Sequence, residues 1–306
     1  MRHELLARDI GPARIDLCYE RRGDPGAPTV LLVMGLATQL VHWPEGLVDA
    51  LVARGLHVVR FDNRDSGRST HMIDAPTPDF AAAMAGDFTS ASYTLSDMAA
   101  DAVGLLDALG IDAAHVVGAS MGGAIGQLIA IEHPRRARSL TSIMSTTGDP
   151  AVGQVHPETA RVIFGGPPVR SREDHVARSL RARAATGSPG FPSDANAAAE
   201  TAGIAYDRAH DELAIVRQAI ATLASGDRTS RLRALDVPTL VVHGLADTLC
   251  DPSGGRATAA AIPGAELALI EGMGHDLPQG VWSRLVDLID GLVRRADARE
   301  RRASDG

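Results

Sequence analysis

The feature that most constrains this chain is a series of short, predominantly apolar segments separated by stretches of helical spacing. Thr29 to Met34 (TVLLVM), Leu56 to Phe61, His115 to Ala119, Leu140 to Met144 and Thr239 to His243 are each too short for a buried helix. Apolar residues at both odd and even positions mark strands covered on both faces, as in a parallel sheet flanked by helices. Between them, Trp43 to Ala53, Leu95 to Leu109 and Met121 to Glu132 carry apolar residues at helical intervals and end at Gly55, Gly110 and His133-Pro134. Alternating strands and helices of this kind predict an α/β fold with an open, mostly parallel sheet flanked by helices.

The alternation is interrupted once. Arg14 to Glu20 reads as a half-buried strand before the first central one, and Ala257 to Ile262, Glu266 to Ile270 and Val281 to Leu292 continue the helix and strand pattern near the end. Gly148 to Leu232 differs, with Gly-Pro turns, helical patterns at Asp174 to Ala185 and His210 to Leu223, and no convincing buried strand. The expected organisation is a core in two parts, 1–147 and 233–306, with a mainly helical cap, 148–232, inserted between them. The charged tail from Arg294 to Gly306 is expected to fray.

Composition removes several function classes. The 306 residues are 45% apolar and 22% charged, ordinary values for a globular chain, and the net charge of −8 disfavours nucleic acid or an anionic membrane surface as partner. All 30 basic residues are Arg. Without Lys there is neither a Walker phosphate loop nor a pyridoxal phosphate Schiff base. Cys18 and Cys250 form no metal-type pair, no run reaches membrane length, and the start lacks an apolar signal segment. The default expectation is a cytoplasmic protein.

Gly118-Ala119-Ser120-Met121-Gly122 carries the chemistry. Alone, a G-x-S-x-G pattern is weak, and Ser120 could be an ordinary helix N-cap. Its place between a buried strand and an amphipathic helix is that of a nucleophile elbow, where a sharp turn exposes the hydroxyl at the helix N-terminus. A serine hydroxyl needs a base. His275, in Glu271-Gly272-Met273-Gly274-His275, follows the last strand and returns to the same sheet edge. Asp247 follows Thr239 to His243 and lies between the two in the chain, as an orienting acid should. Asp251, before Pro252, reads better as a helix cap, and Asp149, after Leu140 to Met144, competes for the acid role.

The order Ser120, Asp247, His275 resembles that of the α/β-hydrolases, and the resemblance spans nearly the whole chain. Asp62-Asn63-Arg64-Asp65-Ser66-Gly67-Arg68-Ser69 matches that family's Asp-x-Arg-x-x-Gly-x-Ser turn. Gly55 to Arg60, Arg64 to Thr70 and Gly272-Met273-Gly274-His275-Asp276-Leu277-Pro278 are similar to the aclacinomycin methylesterase group and its actinobacterial relatives. The resemblance implies cofactor-free, metal-free cleavage of a small-molecule carboxylic ester, including methyl esters on polyketides. It says nothing about oligomeric state. The oxyanion hole is expected from the backbone N–H groups of Met121 and Leu36, the latter in a Met34-Gly35-Leu36-Ala37 turn that departs from the family's commoner His-Gly start.

Rival readings fail on particular residues. A nicotinamide dehydrogenase would account for the glycines at 118, 122, 123 and 126, but Leu140 to Met144 ends in no acidic residue for a ribose, and a Tyr-x-x-x-Lys pair is impossible. A dehalogenase or epoxide hydrolase of the resembling family needs Asp at position 120. Carbon–carbon bond hydrolases often carry Trp after the His, where this chain has Asp276. These enzymes and perhydrolases of the haloperoxidase type use the same triad and stand as alternatives. A non-catalytic binding protein on the same scaffold is the rival of another class, and turnover of p-nitrophenyl acetate discriminates it. Arg64 and Arg68 read as a structural turn, Trp43, Trp282 and Tyr206 as packing, and Cys250 as a bystander.

Overall fold

In a computed structural model, which describes residues 3–304, strands and helices alternate along most of the chain. The first part contains β1 (Leu5–Ile10), β2 (Ile15–Arg22), β3 (Thr29–Val33), α1 (Glu45–Ala53), β4 (His57–Phe61), α2 (Phe80–Met84), α3 (Leu95–Ala108), β5 (Ala114–Ala119), α4 (Met121–Glu132) and β6 (Ala137–Ile143). A wholly helical stretch follows: α5 (Pro157–Phe164), α6 (Arg172–Thr186), α7 (Ala195–Arg208), α8 (Glu212–Ala224) and α9 (Thr229–Leu232). The chain then returns with β7 (Thr239–Gly244), α10 (Ser253–Ala261), β8 (Glu266–Ile270) and α11 (Trp282–Ser304).

The apolar runs are continuous because each central strand feeds two cores. Leu31, Val33, Val59, Phe61 and Val116 pack with α3 and α4 on one face. Their neighbours Val30, Leu32, Val58 and Val117 pack with α1 and α11 on the other. Side chains alternate across a strand, so burying both faces requires apolar residues at successive positions. The eight strands form one sheet in the order β1-β2-β4-β3-β5-β6-β7-β8. β1, β2 and β4 pair antiparallel, and every pair from β4 onward is parallel.

This order locates the crevice. The chain leaves β3 toward β4 on one side and later places β5 on the other, so the connections diverge at the carboxyl ends of β3 and β5. Ligands in open α/β sheets bind at such a switch point. The turns after β3 and β5 are those containing Leu36 and Ser120.

Several boundaries differ from expectation. β1 has no counterpart in the sequence reading, because only Ala7 and Ile10 are buried while Leu5 and Leu6 are exposed on the sheet edge. β6 begins at Ala137, earlier than the apolar run at Leu140, since the strand includes the half-buried Arg138. The tail does not fray from Arg294. It continues α11 to Ser304, with Val293 and Ala296 buried and Arg295 and Arg299 paired to Glu266 and Asp236 at 2.7 and 2.6 Å. A charged stretch thus keeps one apolar face, which simple charge density hides. Asp305 and Gly306 lie outside the described residues. No described helix is long and apolar enough to cross a membrane.

Candidate active site

Ser120 stands between β5 and α4 with φ 55° and ψ −122°, a left-handed conformation for a residue with a Cβ. Such a geometry costs on the order of 1–3 kcal/mol and persists only where its surroundings impose it. Here they do. A Cβ on Gly118 would lie 2.1 Å from the Gly122 carbonyl oxygen, and one on Gly122 would lie 2.0 Å from that of Val33. The glycines therefore let strand, turn and helix approach at backbone distance, and the Ser120 N–H donates to the Ile143 carbonyl at 2.9 Å. The hydroxyl is left projecting from the carboxyl edge of the sheet.

The structure brings His275 and Asp247 to that hydroxyl. His275 Nε2 lies 3.0 Å from Ser120 Oγ, and His275 Nδ1 lies 2.7 Å from Asp247 Oδ2. The ring is oriented so that Nδ1–H donates to the carboxylate and Nε2 accepts from the serine, a tautomer fixed by its partners. The turn carrying the ring is held from the helical stretch: His275 N–H donates to Thr186 O at 2.7 Å, and Gly274 N–H to Ser188 Oγ at 2.9 Å. Ser188 Oγ also donates to Asp276, the residue after the histidine, which Arg183 meets at 3.2 Å.

Asp247 is fully buried, and every side of its carboxylate is engaged. Oδ1 accepts from the Leu249 and Cys250 N–H groups, both at 2.9 Å. His243, on β7, lies 3.4 Å from Oδ2 and donates mainly to the Cys250 carbonyl at 2.8 Å. Burial alone would raise this carboxyl, but the bonds from His243, His275 and the Cys250 backbone outweigh it and bring it to about 2. The sign of the linkage follows. An unfolded aspartate titrates near 3.9, so the stability owed to this carboxylate is complete above about pH 5 and lost progressively as pH falls toward and below 2. Asp247→Asn is expected to flatten that acid limb in urea melts from about pH 2 to 5. An unchanged limb contradicts the network.

The turn after β3 closes the site. An added Cβ on Gly35 would stand 3.1 Å from Ser120 Cβ and 3.6 Å from Oγ, so the backbone leading to Leu36 runs against the Ser120 side chain. Thr38 Oγ1 donates to Gly35 O at 2.7 Å, which fixes the peptide that carries the Leu36 N–H. Asn63 Nδ2 donates to Met34 O at 3.0 Å and Ser66 Oγ to Thr38 O at 2.6 Å. Met121 is the first residue of α4, and an N–H there has no intrahelical acceptor. Leu36 follows Gly35 in the turn that runs against Ser120, and Met121 follows Ser120 itself.

Other candidates go elsewhere. Asp251 accepts from the N–H groups of Ser253 and Gln154 at 2.9 and 2.6 Å, holding the start of α10. Asp149 accepts from Ala151 N–H at 2.8 Å within its own turn. Arg64 makes a buried two-pronged bond to Asp101 at 2.6 and 2.7 Å, and Arg68 pairs with Glu4 at 2.7 Å. Burial, then the charges of Asp247 and Asp251, push the Cys250 thiol up, away from a reactive thiolate. Tyr206 stacks on His210 with ring centroids 4.8 Å apart, and His175 packs against both within the helical stretch.

The sequence reading missed the residues by which the helical stretch grips the core. Arg217 on α8 is buried against Asp65 at 2.8 and 2.9 Å and reaches Asp211 at 3.1 Å. Asp65, Asp211 and His71 have ligand atoms close enough together to hold a metal ion, but this guanidinium already supplies a positive charge to both carboxylates. Next to it, Gln218 reaches the turn after β3. Arg217 and Asp65 lie 152 residues apart in sequence and Gln218 and Ala37 181, and no local pattern announces either pair.

Comparison with known proteins places the chain among relatives. Residues 28–278 match the family model described as alpha/beta hydrolase fold. Rhodomycin D methylesterase DnrP of Streptomyces peucetius is 30% identical, over 94% of this chain and 98% of its own length. Rhodomycin D methylesterase DauP of Streptomyces sp. (strain C5) is 29% identical, with the same 94% and 98% covered. Among solved structures, 2-hydroxy-6-oxo-6-phenylhexa-2,4-dienoate hydrolase (BphD) from Rhodococcus sp. strain RHA1 has a TM-score of 0.72 at 20% identity, covering 95% of this chain and 100% of that one. A likeness at that identity concerns the fold alone.

Proposed function

The chain belongs to the α/β-hydrolase fold family, and from that premise we propose that it hydrolyses a carboxylic ester of a small molecule, with Ser120 as nucleophile, His275 as base and Asp247 as its orienting acid. The observation that carries this reading is the unbroken hydrogen-bonded chain from Ser120 Oγ through His275 to Asp247, at 3.0 and 2.7 Å. A serine that shares a hydrogen bond with a neutral imidazole can lose its proton as it attacks, and a buried carboxylate stabilises the imidazolium that forms.

Each step is accounted for by a named group. Ser120 Oγ bonds to the ester carbonyl carbon while its proton passes to His275 Nε2. The carbonyl oxygen becomes an oxyanion between the Leu36 and Met121 N–H groups. His275 then returns the proton to the departing alcohol oxygen, leaving an acyl-serine. Water enters, gives a proton to His275 and attacks the acyl carbon; as the bond to Ser120 Oγ breaks, His275 returns that proton to Oγ, releasing the carboxylic acid and restoring both residues. Water is the only second substrate the sequence of steps requires.

The finer reading is a methyl ester on a bulky, polyketide-like acid. Its support is the relationship to two methylesterases over 94% of the chain. The helices α5–α9 act as the cap over the catalytic edge, since they hold the turns of His275 and Leu36. A lid in that position shapes the acid-binding space and excludes water. A panel of methyl, short-chain and bulky polycyclic esters tests both levels. The methyl ester of a polycyclic acid is expected to give the highest kcat/KM, at least about tenfold above the corresponding butyl ester. Preference for long-chain alcohol esters removes the methyl reading; absence of turnover on every ester removes the esterase itself.

A further inference from the structure

Cap substitutions would ordinarily alter which ester is preferred and leave attack on a minimal activated ester intact. One cap residue departs from that division of labour. Gln218, on α8, is completely buried, and both ends of its amide are used on the core. Its Oε1 accepts from the Ala37 N–H at 3.0 Å, and its Nε2 donates to the Arg64 carbonyl at 2.9 Å. The first bond crosses 181 residues of sequence and ends on the turn that carries Leu36, assigned above as an oxyanion donor.

That turn needs external support. Ala37 has φ 60°, a left-handed conformation that an L-residue with a Cβ disfavours. The Ala37 N–H belongs to the peptide immediately after Leu36, so anchoring it restrains how the Leu36 residue can rotate. Thr38 fixes the peptide before Leu36 through Gly35 O, and Gln218 fixes the one after. The Leu36 N–H is thereby clamped from both sides. Gln218 is itself held: the preceding Arg217 makes the buried two-pronged bond to Asp65, which sets α8 in one register on the turn after β4.

We propose that Gln218 is a positioning residue for acyl transfer, holding the Leu36 amide where the oxyanion develops. The cap is then part of the machinery for the chemical step, in addition to shaping the substrate space. This rests on the assignment of Ser120 and the oxyanion amides made above. Preorganised donors act on the transition state far more than on the bound ester, so loosening one lowers kcat and leaves ground-state binding nearly unchanged.

The test is Gln218→Met, which keeps length and volume and loses both hydrogen bonds, read with p-nitrophenyl acetate. We expect kcat to fall about 10- to 100-fold while KM changes by less than about twofold. The affinity of a trifluoromethyl ketone, whose adduct carries an oxyanion, should weaken by a similar factor. Gln218→Asn, polar but a methylene too short to reach Ala37, should fall with it and serves if the Met variant does not fold. Ser225→Ala removes the acceptor of the Leu95 N–H at the other end of α8, 2.9 Å away. It should lower Tm and leave kcat within about twofold, separating a merely loosened cap from a misplaced amide. A folded Gln218 variant with parental kcat and ketone affinity overturns the proposal and leaves the Ser120 reading standing. Failure of a fluorophosphonate to label Ser120 in the parent protein overturns both.

Discussion

Ser120→Ala is expected to lower kcat by about 10⁶ while the protein remains folded. The substitution removes one oxygen atom, the one proposed to form the acyl bond, and leaves the elbow intact. Alanine inherits the φ of 55°, and the close approaches of Gly118 to Gly122 and of Gly122 to Val33 do not involve the side chain at 120, so the backbone strain is carried over unchanged. The lost bond to His275 Nε2 belongs to a half-buried hydroxyl and is worth about 1 kcal/mol. Stability should therefore move little, within about 1 kcal/mol by urea denaturation. The residual rate should be that of water attacking an ester held between the Leu36 and Met121 amides. A fluorophosphonate should label the parent at Ser120, identified by peptide mass, and leave the variant unmodified. Labelling at another residue, together with retained turnover in the variant, would sink the mechanism.

The legibility of Ser120 has a local cause. Its glycines are dictated by contacts within a few residues and one neighbouring strand, so the requirement is written in five consecutive positions. β3 and β4 were legible for a comparable reason: each residue meets one of two apolar cores, and the sequence TVLLV can serve no half-exposed strand as well. β1 offers no such signal. Its burial falls on Ala7 and Ile10 alone, and LLARDI reads as a charged leader unless the edge pairing with β2 is known. The continuation of α11 past Arg294 was hidden by arginines whose stems line the helix while Val293 and Ala296 face the core.

The cap was legible only as helix. Its grip on the core lies in a few long-range bonds: Arg217 to Asp65 and Gln218 to Ala37, made by residue types ordinary in a solvent-facing helix, and the Thr186 carbonyl to His275, which any residue type could supply. A glutamine on an amphipathic helix carries no mark of whether it meets water or a backbone amide of the turn after β3. That distinction arises only when the helix is laid on the sheet. His243 is a similar case, an apparent strand residue whose ring lies beside the carboxylate that orients His275.

Asp247→Asn is expected to cost on the order of 10⁴ in kcat, and the surrounding donors explain why so conservative a change should be so damaging. An asparagine amide can sit in two flips. The position of Oδ1 receives two backbone N–H groups, from Leu249 and Cys250, each at 2.9 Å. An NH2 group there would face two donors with no acceptor, a cost of several kcal/mol for a fully buried group. The amide oxygen must therefore take that position, which turns the NH2 toward His275 Nδ1. The ring then accepts at Nδ1 and carries its proton on Nε2, facing Ser120 Oγ, where it cannot serve as base. Shape and packing survive while the tautomer is reversed. Asp251 and Asp149 provide the controls, because their carboxylates are spent on local backbone N–H groups at Ser253, Gln154 and Ala151. Their Asn variants should retain kcat within about tenfold and lose at most about 1 kcal/mol of stability. Measured at one pH with one ester, the three kcat values separate the assignments. A crippled Asp149→Asn beside a near-parental Asp247→Asn would move the orienting acid to the loop after β6 and leave the short bond at His275 without a catalytic role.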